Sequence, residues 1–357
     1  MRSTNRPLVN SPAPDAINGT PSFQLGVSLI ELMISITIGL LILVALSTLF
    51  INQSRARIEL DKSNRMIDNG SYALKLLSDN LSMAGYYGEF IPTSGVPALP
   101  AALPDPCSTD PVVMAGALQL AVQGYDAATP TGSISSLPPL CGLTYTAGSA
   151  LTLKPGSDIL ALRRASTAAS IQVGSALNGT HYIQSSLCQY DAVAFKLDTN
   201  LTNLNLRVKL CTSTGGGALA AVRQFVTQIY FVSTDDKPGD GIPTLKRLEL
   251  DPTTHVFVTT PLVEGIDYMQ IEYGLDTDGN GSADIYVSNP GLTDWPNVVA
   301  IKMHLLARNT ESTPNYVDTK TYNLGLAGTV TPHDAYKRHS YTQYIRLINP
   351  SGRREVQ

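Results

Sequence analysis

The chain is short of charge and of histidine, has one tryptophan and lacks any closely spaced cysteine pair. Asp, Glu, Lys and Arg supply 15% of its 357 residues, and the formal net charge is -4. No basic field is available to attract nucleic acid. The histidines His181, His255, His304, His333 and His339 never fall in H-E-x-x-H spacing. The chain also lacks a G-x-S-x-G elbow and a G-x-x-x-x-G-K-[ST] phosphate loop. The common zinc-hydrolase, serine-hydrolase and nucleotide-binding signatures are therefore missing. A membrane-anchored periplasmic enzyme is the remote alternative, and its site would have to be assembled wholly in space. His304 alternates with apolar neighbours and reads as a structural residue.

Cys107, Cys141, Cys188 and Cys211 are the four cysteines, and none forms a C-x-x-C pair. Zinc and thioredoxin-type chemistry are disfavoured. An even number, all beyond an apolar segment, points to disulfides in an oxidising compartment. Three pairings are open. The sequential one, Cys107–Cys141 and Cys188–Cys211, needs the least chain crossing.

Proline is absent between Pro21 and Pro92, so nothing forces a helix to break there. The apolar run Val27–Ile51 lies inside that window and carries one charge, Glu31. As a helix it reaches roughly 37 Å at about 1.5 Å per residue, enough to cross a bilayer. A carboxylate there costs about 2.5 kcal/mol or more, which makes Glu31 a functional candidate. Gly26 precedes the run, whereas a secretory signal places its apolar region before the cut. Cleavage between Gly26 and Val27 would leave the helix on the mature chain. It would also free an α-amine at Val27, and the amine of a neighbouring copy is a natural partner for Glu31. Flanking charge does not orient the span, because Arg2 and Arg6 precede it and Arg55, Arg57, Lys62 and Arg65 follow. The cysteines and the leader place the bulk of the chain outside the cytoplasm.

Beyond the span, Ile67, Leu74, Leu77, Leu81 and Ala84 recur at helical spacing, so the helix should continue to a stop near Gly85. Residues 91–157 are rich in Pro, Ala, Gly and Ser and read as a long irregular excursion. Strands then dominate. Leu204, Leu206, Val208 and Leu210 alternate with polar residues, and 191–198 is the expected hairpin partner across Thr199–Asn200. That register sets Cys188 opposite Cys211, and a one-residue slip breaks it. Further strands are expected at 224–233, 243–250, 266–275, 283–288 and 297–307. The order gives an α+β fold: a long N-terminal helix packed on an antiparallel sheet. Four regions follow: 1–26 leader, 27–51 membrane half of the helix, 52–84 amphipathic half, and 85–357 β-rich domain.

Asp276, Asp278, Asn280 and Asp284 match the first, third, fifth and ninth positions of a calcium loop, with Gly281 at the sixth, and Ser282 is the further candidate ligand. The twelfth position is Val287, not glutamate. The competing reading is a hairpin loop whose Asp and Asn side chains satisfy the turn. Calcium is the one candidate cofactor.

The segment Gly26-Val27-Ser28-Leu29-Ile30-Glu31-Leu32-Met33 resembles the cleavage and methylation site of type IV prepilins. It departs in having Val27 where phenylalanine is commoner, and in a longer leader. Met83–Gly88, Gly239–Pro243, Leu262–Ile266 before Ile271–Gly274, Trp295–Arg308 and Arg346–Glu355 resemble, in order, the PilW minor-pilin family. Leu262-Val263-Glu264-Gly265 is also similar to the J-type pseudopilins of type II secretion. The resemblance implies removal of residues 1–26 by a prepilin peptidase, N-methylation of Val27, and an inter-subunit pair between Glu31 and a Val27 amine. It implies a single-pass inner-membrane protein with a periplasmic domain, later built into a pilus tip or priming complex. Its partners would be other minor pilins, the major pilin and the inner-membrane assembly platform.

Overall fold

The computed structural model describes residues 26, 28–92 and 96–355. The chain divides into two compact units, meeting between Arg57 and Ile58. The helix α1 is Leu29–Ser82, and its start belongs to the first unit. Apolar side chains there face outward: Leu29 is 77%, Leu41 70% and Phe50 73% exposed. Its two threonines satisfy themselves on their own helix. Thr37 Oγ1 donates to the Ile34 carbonyl at 2.8 Å, and Thr48 Oγ1 to the Ala45 carbonyl at 3.1 Å.

In the second unit α1 buries one stripe, made of Met66, Gly70, Ala73, Leu77 and Leu81. Leu77, Leu81 and Ala84 are buried as their spacing implies, but Ile67 faces outward and Leu74 is only half-buried. The reason is Tyr341, whose ring occupies the space a Cβ at Gly70 would need. Its hydroxyl donates to the Ile67 carbonyl at 3.0 Å. Small residues at 70 and 73 rotate the contact face toward themselves. Polar anchors hold the same stretch: Glu59 accepts from Lys337 Nζ and Thr313 Oγ1, both at 2.8 Å. After Ser82 the backbone turns at Gly85 (φ 72°), whose N–H donates to the Arg163 carbonyl at 2.8 Å.

The remaining elements, in order, are α2 (Pro111–Gly116), β1 (Val122–Tyr125), β2 (Ile159–Ala165), β3 (Tyr182–Ser185), β4 (Phe195–Asp198), β5 (Arg207–Cys211), β6 (Gly217–Leu219), β7 (Val222–Ser233), β8 (Thr244–Leu250) and β9 (Phe257–Glu264). Then come β10 (Ile266–Leu275), β11 (Ile285–Val287), β12 (Val298–Arg308), β13 (Tyr322–Asn323), β14 (Thr329–Val330), β15 (Arg338–Arg346) and α3 (Ile348–Arg354). One antiparallel sheet runs β1-β2-β7-β3-β4, with β8 on β7 and β9 on β8. A second runs β11-β10-β12-β15. The main core joins both sheets to α1 through Leu77, Leu81, Tyr230, Met269, Ile301, Met303 and Ile345.

Two buried polar centres tie the parts. Asp158 accepts from the Ala127 N–H at 2.9 Å and from the Ile271 N–H at 2.8 Å, bridging the two sheets. Arg338 reaches Asp267 at 2.7 Å, Asp334 at 2.6 Å and Asp318 at 3.3 Å. Tyr322 Oη also donates to Asp318, at 3.0 Å. This cluster seats the segment between β12 and β15. Removing Arg338 would leave Asp318 buried without a cation, a large cost.

Two expectations need correction. The 91–157 excursion is not wholly irregular, because Val122–Tyr125 pairs with β2 as an edge strand. The 191–198/204–210 hairpin does not form. Phe195–Asp198 pairs with β3, and Arg207–Cys211 pairs with β6. Local side chains capture the backbone at the expected turn: Asp198 accepts from the Asn200 N–H at 2.8 Å, and Asn200 from the Thr202 N–H at 3.0 Å. They wind a 3-10 turn over Leu201–Asn203, and Leu210 ends 88% exposed. The disulfides are Cys107–Cys141 and Cys188–Cys211, with Cα–Cα distances of 5.1 and 5.8 Å. The second bridge therefore needs no facing ladder. On loop-closure grounds each contributes about 3–4 kcal/mol.

Candidate assembly site and candidate cation loop

The start of α1 is a reciprocal cap. The Ser28 N–H donates to Glu31 Oε2 at 2.9 Å, and the Glu31 N–H donates to Ser28 Oγ at 3.3 Å. This is the S-x-x-E capping box, which satisfies two of the orphan donors at a helix start. The motif is plain in Ser28-Leu29-Ile30-Glu31, and sequence reasoning missed it because the prepilin pattern absorbed Glu31. A negative side chain also suits the positive end of the helix dipole. Among the described residues Glu31 Oε1 accepts no hydrogen bond, so one carboxylate oxygen stays available to a donor from outside. Gly26 is described and a Cβ there would meet open space. Val27, its cleavage and methylation, and the 1–25 part of the leader lie outside the described residues.

Around that carboxylate the helix is apolar on all sides, and it is long and apolar enough to cross a membrane. The arrangement can do two things: sit in lipid, or pack laterally on similar helices with Glu31 meeting a cation at the same depth.

The candidate cation loop lies between β10 and β11. One carboxylate oxygen each from Asp276, Asp278 and Asp284 falls within 4.8 Å of the others. All three carboxylates also hold the loop's own hydrogen bonds. Asp276 accepts from the Gly279 N–H at 2.7 Å and the Gly281 N–H at 2.9 Å, and Arg354 Nη1 lies 3.3 Å away. Asp284 accepts from Thr277 Oγ1 and N–H, both at 2.7 Å. Asn280 donates to Asp278 and accepts from the Ser282 N–H, each at 2.8 Å. Burial pushes the Asp276 carboxyl up, but the Gly281 and Gly279 N–H groups and the Arg354 guanidinium outweigh it and hold it below its ordinary value. The loop is complete as a turn, with a guanidinium supplying the positive charge.

His304 is buried, as its alternation implies. Its Nε2 lies 3.1 Å from Glu272 Oε1, and its Nδ1 lies 3.1 Å from Thr342 Oγ1. Glu272 is also held by Lys302 at 3.1 Å and by the Leu326 N–H at 3.0 Å. The carboxylate is saturated by neighbours that fasten the 325–327 turn to the sheet, which is structural work.

A family model described as type IV pilus-assembly protein W matches residues 229–349. Over that stretch the chain is similar to PilW. The match runs from within β7 into α3 and takes in most of the later motifs. Gly26–Met33 and Met83–Gly88 lie outside it. Among solved structures, a type IV-like pilin from Thermus thermophilus aligns over 80% of this chain and 98% of that one. Its identity is 11% and its TM-score 0.35. No curated protein matches. The family likeness is carried by residues 229–349, within the second unit.

Proposed function

We propose that the chain is a minor pilin that enters the tip or priming complex of a type IV pilus. The observation that carries this is Glu31: one carboxylate in an exposed apolar helix, five residues after Gly26, with an oxygen to spare. A prepilin peptidase cuts Gly26–Val27, and the freed amine is methylated. The span holds the subunit in the inner membrane, with the disulfide-bearing domain in the periplasm. On extraction, Glu31 receives the Val27 amine of an adjacent subunit. In low dielectric a well-made pair offsets the burial of both charges, whereas an unpaired Glu31 is strongly disfavoured. The role is structural, and the partners are other minor pilins, the major pilin and the assembly platform.

Cleavage is tested by Gly26→Phe. Immunoblotting should show only full-length precursor, and normal processing of that variant would defeat the assignment. Gene deletion separates this reading from the J-type pseudopilin. Loss of surface pili and twitching with secretion intact supports the minor pilin. Loss of enzyme export with pili intact reverses the choice.

A further inference from the structure

Two segments more than 250 residues apart meet at a groove in the second unit. One follows α1, from Gly85 to Ile91; the other is α3. The space between them is about 680 Å³, with Tyr86, Tyr87, Phe90, Ile91, Ile348 and Arg353 among its walls. That volume is in the range of specific ligand pockets, and mostly apolar walls with few polar groups are typical of them. Ile91 and Ile348 are 58% and 59% exposed, so a large share of the apolar wall faces solvent.

The polar groups there are incompletely matched. Arg353 Nη1 donates to the Gly85 carbonyl at 3.0 Å. No carboxylate among the described residues pairs with Arg353, although its neighbours are paired: Arg354 with Asp276 and Arg346 with Glu355. Burial disfavours the Arg353 charge, Tyr87 partly offsets this, and Arg354 nearby adds to it. The Tyr87 hydroxyl is buried with no hydrogen-bond partner. A half-buried guanidinium without an acid, beside an unpartnered phenol, is costly alone and is relieved by an incoming carboxylate.

We propose that this groove docks a polypeptide segment of a neighbouring fibre subunit that presents a Glu or Asp beside an aliphatic residue. The carboxylate lies on Arg353 and the aliphatic group between Ile91 and Ile348. The origin of the segment rests on the fibre-subunit reading; its chemistry rests on the groove alone. Aromatic and Arg-containing pockets of this kind carry a disproportionate share of binding energy at protein interfaces.

The test uses the full-length protein in detergent micelles with a photoreactive phenylalanine in place of Ile348. The probes are blocked, biotinylated peptides that share one Gly/Ser frame around Leu-Glu-Leu, Leu-Gln-Leu or Leu-Lys-Leu. At equal concentration the Glu peptide should crosslink about tenfold more than the Gln peptide, and the Lys peptide least. Arg353→Met should bring the Glu peptide down to the Gln level. Should that variant fold poorly, Ile91→Glu, an exposed change that keeps Arg353, should lower the Glu yield several-fold. Equal yields for the three peptides, no crosslinking to any, or a folded Arg353→Met that leaves the Glu yield unchanged would overturn the proposal. Processing at Gly26 in the same cells reports separately on the fibre-subunit reading.

Discussion

From Leu29 to Ile51 the helix α1 turns apolar side chains to every side, while from Ile58 to Ser82 it buries a single stripe of Met66, Gly70, Ala73, Leu77 and Leu81. One backbone conformation thus serves two environments, and composition decides which. The first stretch has no polar face to give to water, and it is long and apolar enough to cross a membrane. The second has a polar face for water and a small-residue seam for the sheet. The difference shows that helix formation was never the question in this segment; what surrounds the helix was.

The sharpest way to break that contrast is to shave a leucine from each stretch. Leu77→Ala, at a fully buried position, should cost about 2–5 kcal/mol of domain stability in denaturant melts. Leu41→Ala should leave those melts unchanged. Equal losses would mean that the two stretches share one environment. Gly70→Val should come next, at about 1–3 kcal/mol, because the added side chain overlaps Tyr341. In the double variant with Tyr341→Ala the two losses should sum to more than is measured, which a double-mutant cycle reads directly. Ser28→Ala removes the cap from the exposed stretch at about 1 kcal/mol. Amide hydrogen exchange in micelles should accelerate about fivefold at Leu29–Leu32 and stay unchanged beyond Ile58.

The smallest effect concerns Glu59, at the foot of the packed stretch. The hydrogen bond from Lys337 is the largest influence on its carboxyl and lowers its pKa; burial opposes it, and Thr313 and Lys62 assist. A depressed carboxyl contributes stability above its unfolded value, near 4.3, and loses it as pH falls through the folded value. Glu59→Gln should therefore lower stability slightly at pH 7 and flatten the acid limb, with the difference from the parent vanishing as pH falls through the folded value. A flattening near neutral pH instead would show that another group controls the foot of the helix.

Much of this was legible in the residues. The span, the stop near Gly85 and the strands 224–233, 243–250, 266–275 and 297–307 announce themselves by run length, by alternation and by intervening Asp-Gly turns. Local patterns failed where a distant group decides. Ile67 and Leu74 fit the helical period as well as Met66 and Ala73 do, and only the Tyr341 ring over Gly70 chooses between them. The 191–210 hairpin had good alternation, but Asp198 and Asn200 bend the chain before a two-residue turn can form. β9 and β15 escaped notice because they are edge strands in which exposed apolar residues such as Val258 and Tyr344 blur the alternation. At the site, Glu31 and the acidic loop were visible by type and spacing. The guanidinium of Arg354, which completes the loop from the far end of the chain, was not.

Asp158 accepts one N–H from the segment after β1 and another from the middle of β10. Pulling the two sheets apart strains the Asp158–Ile271 bond, while the Ala127 bond fixes the carboxyl on the side of the first sheet. With Ser157 and the Gly156 carbonyl, which also hold β10, this side chain fastens one sheet to the other, and Asp158→Ala should show itself first as a lower rupture force.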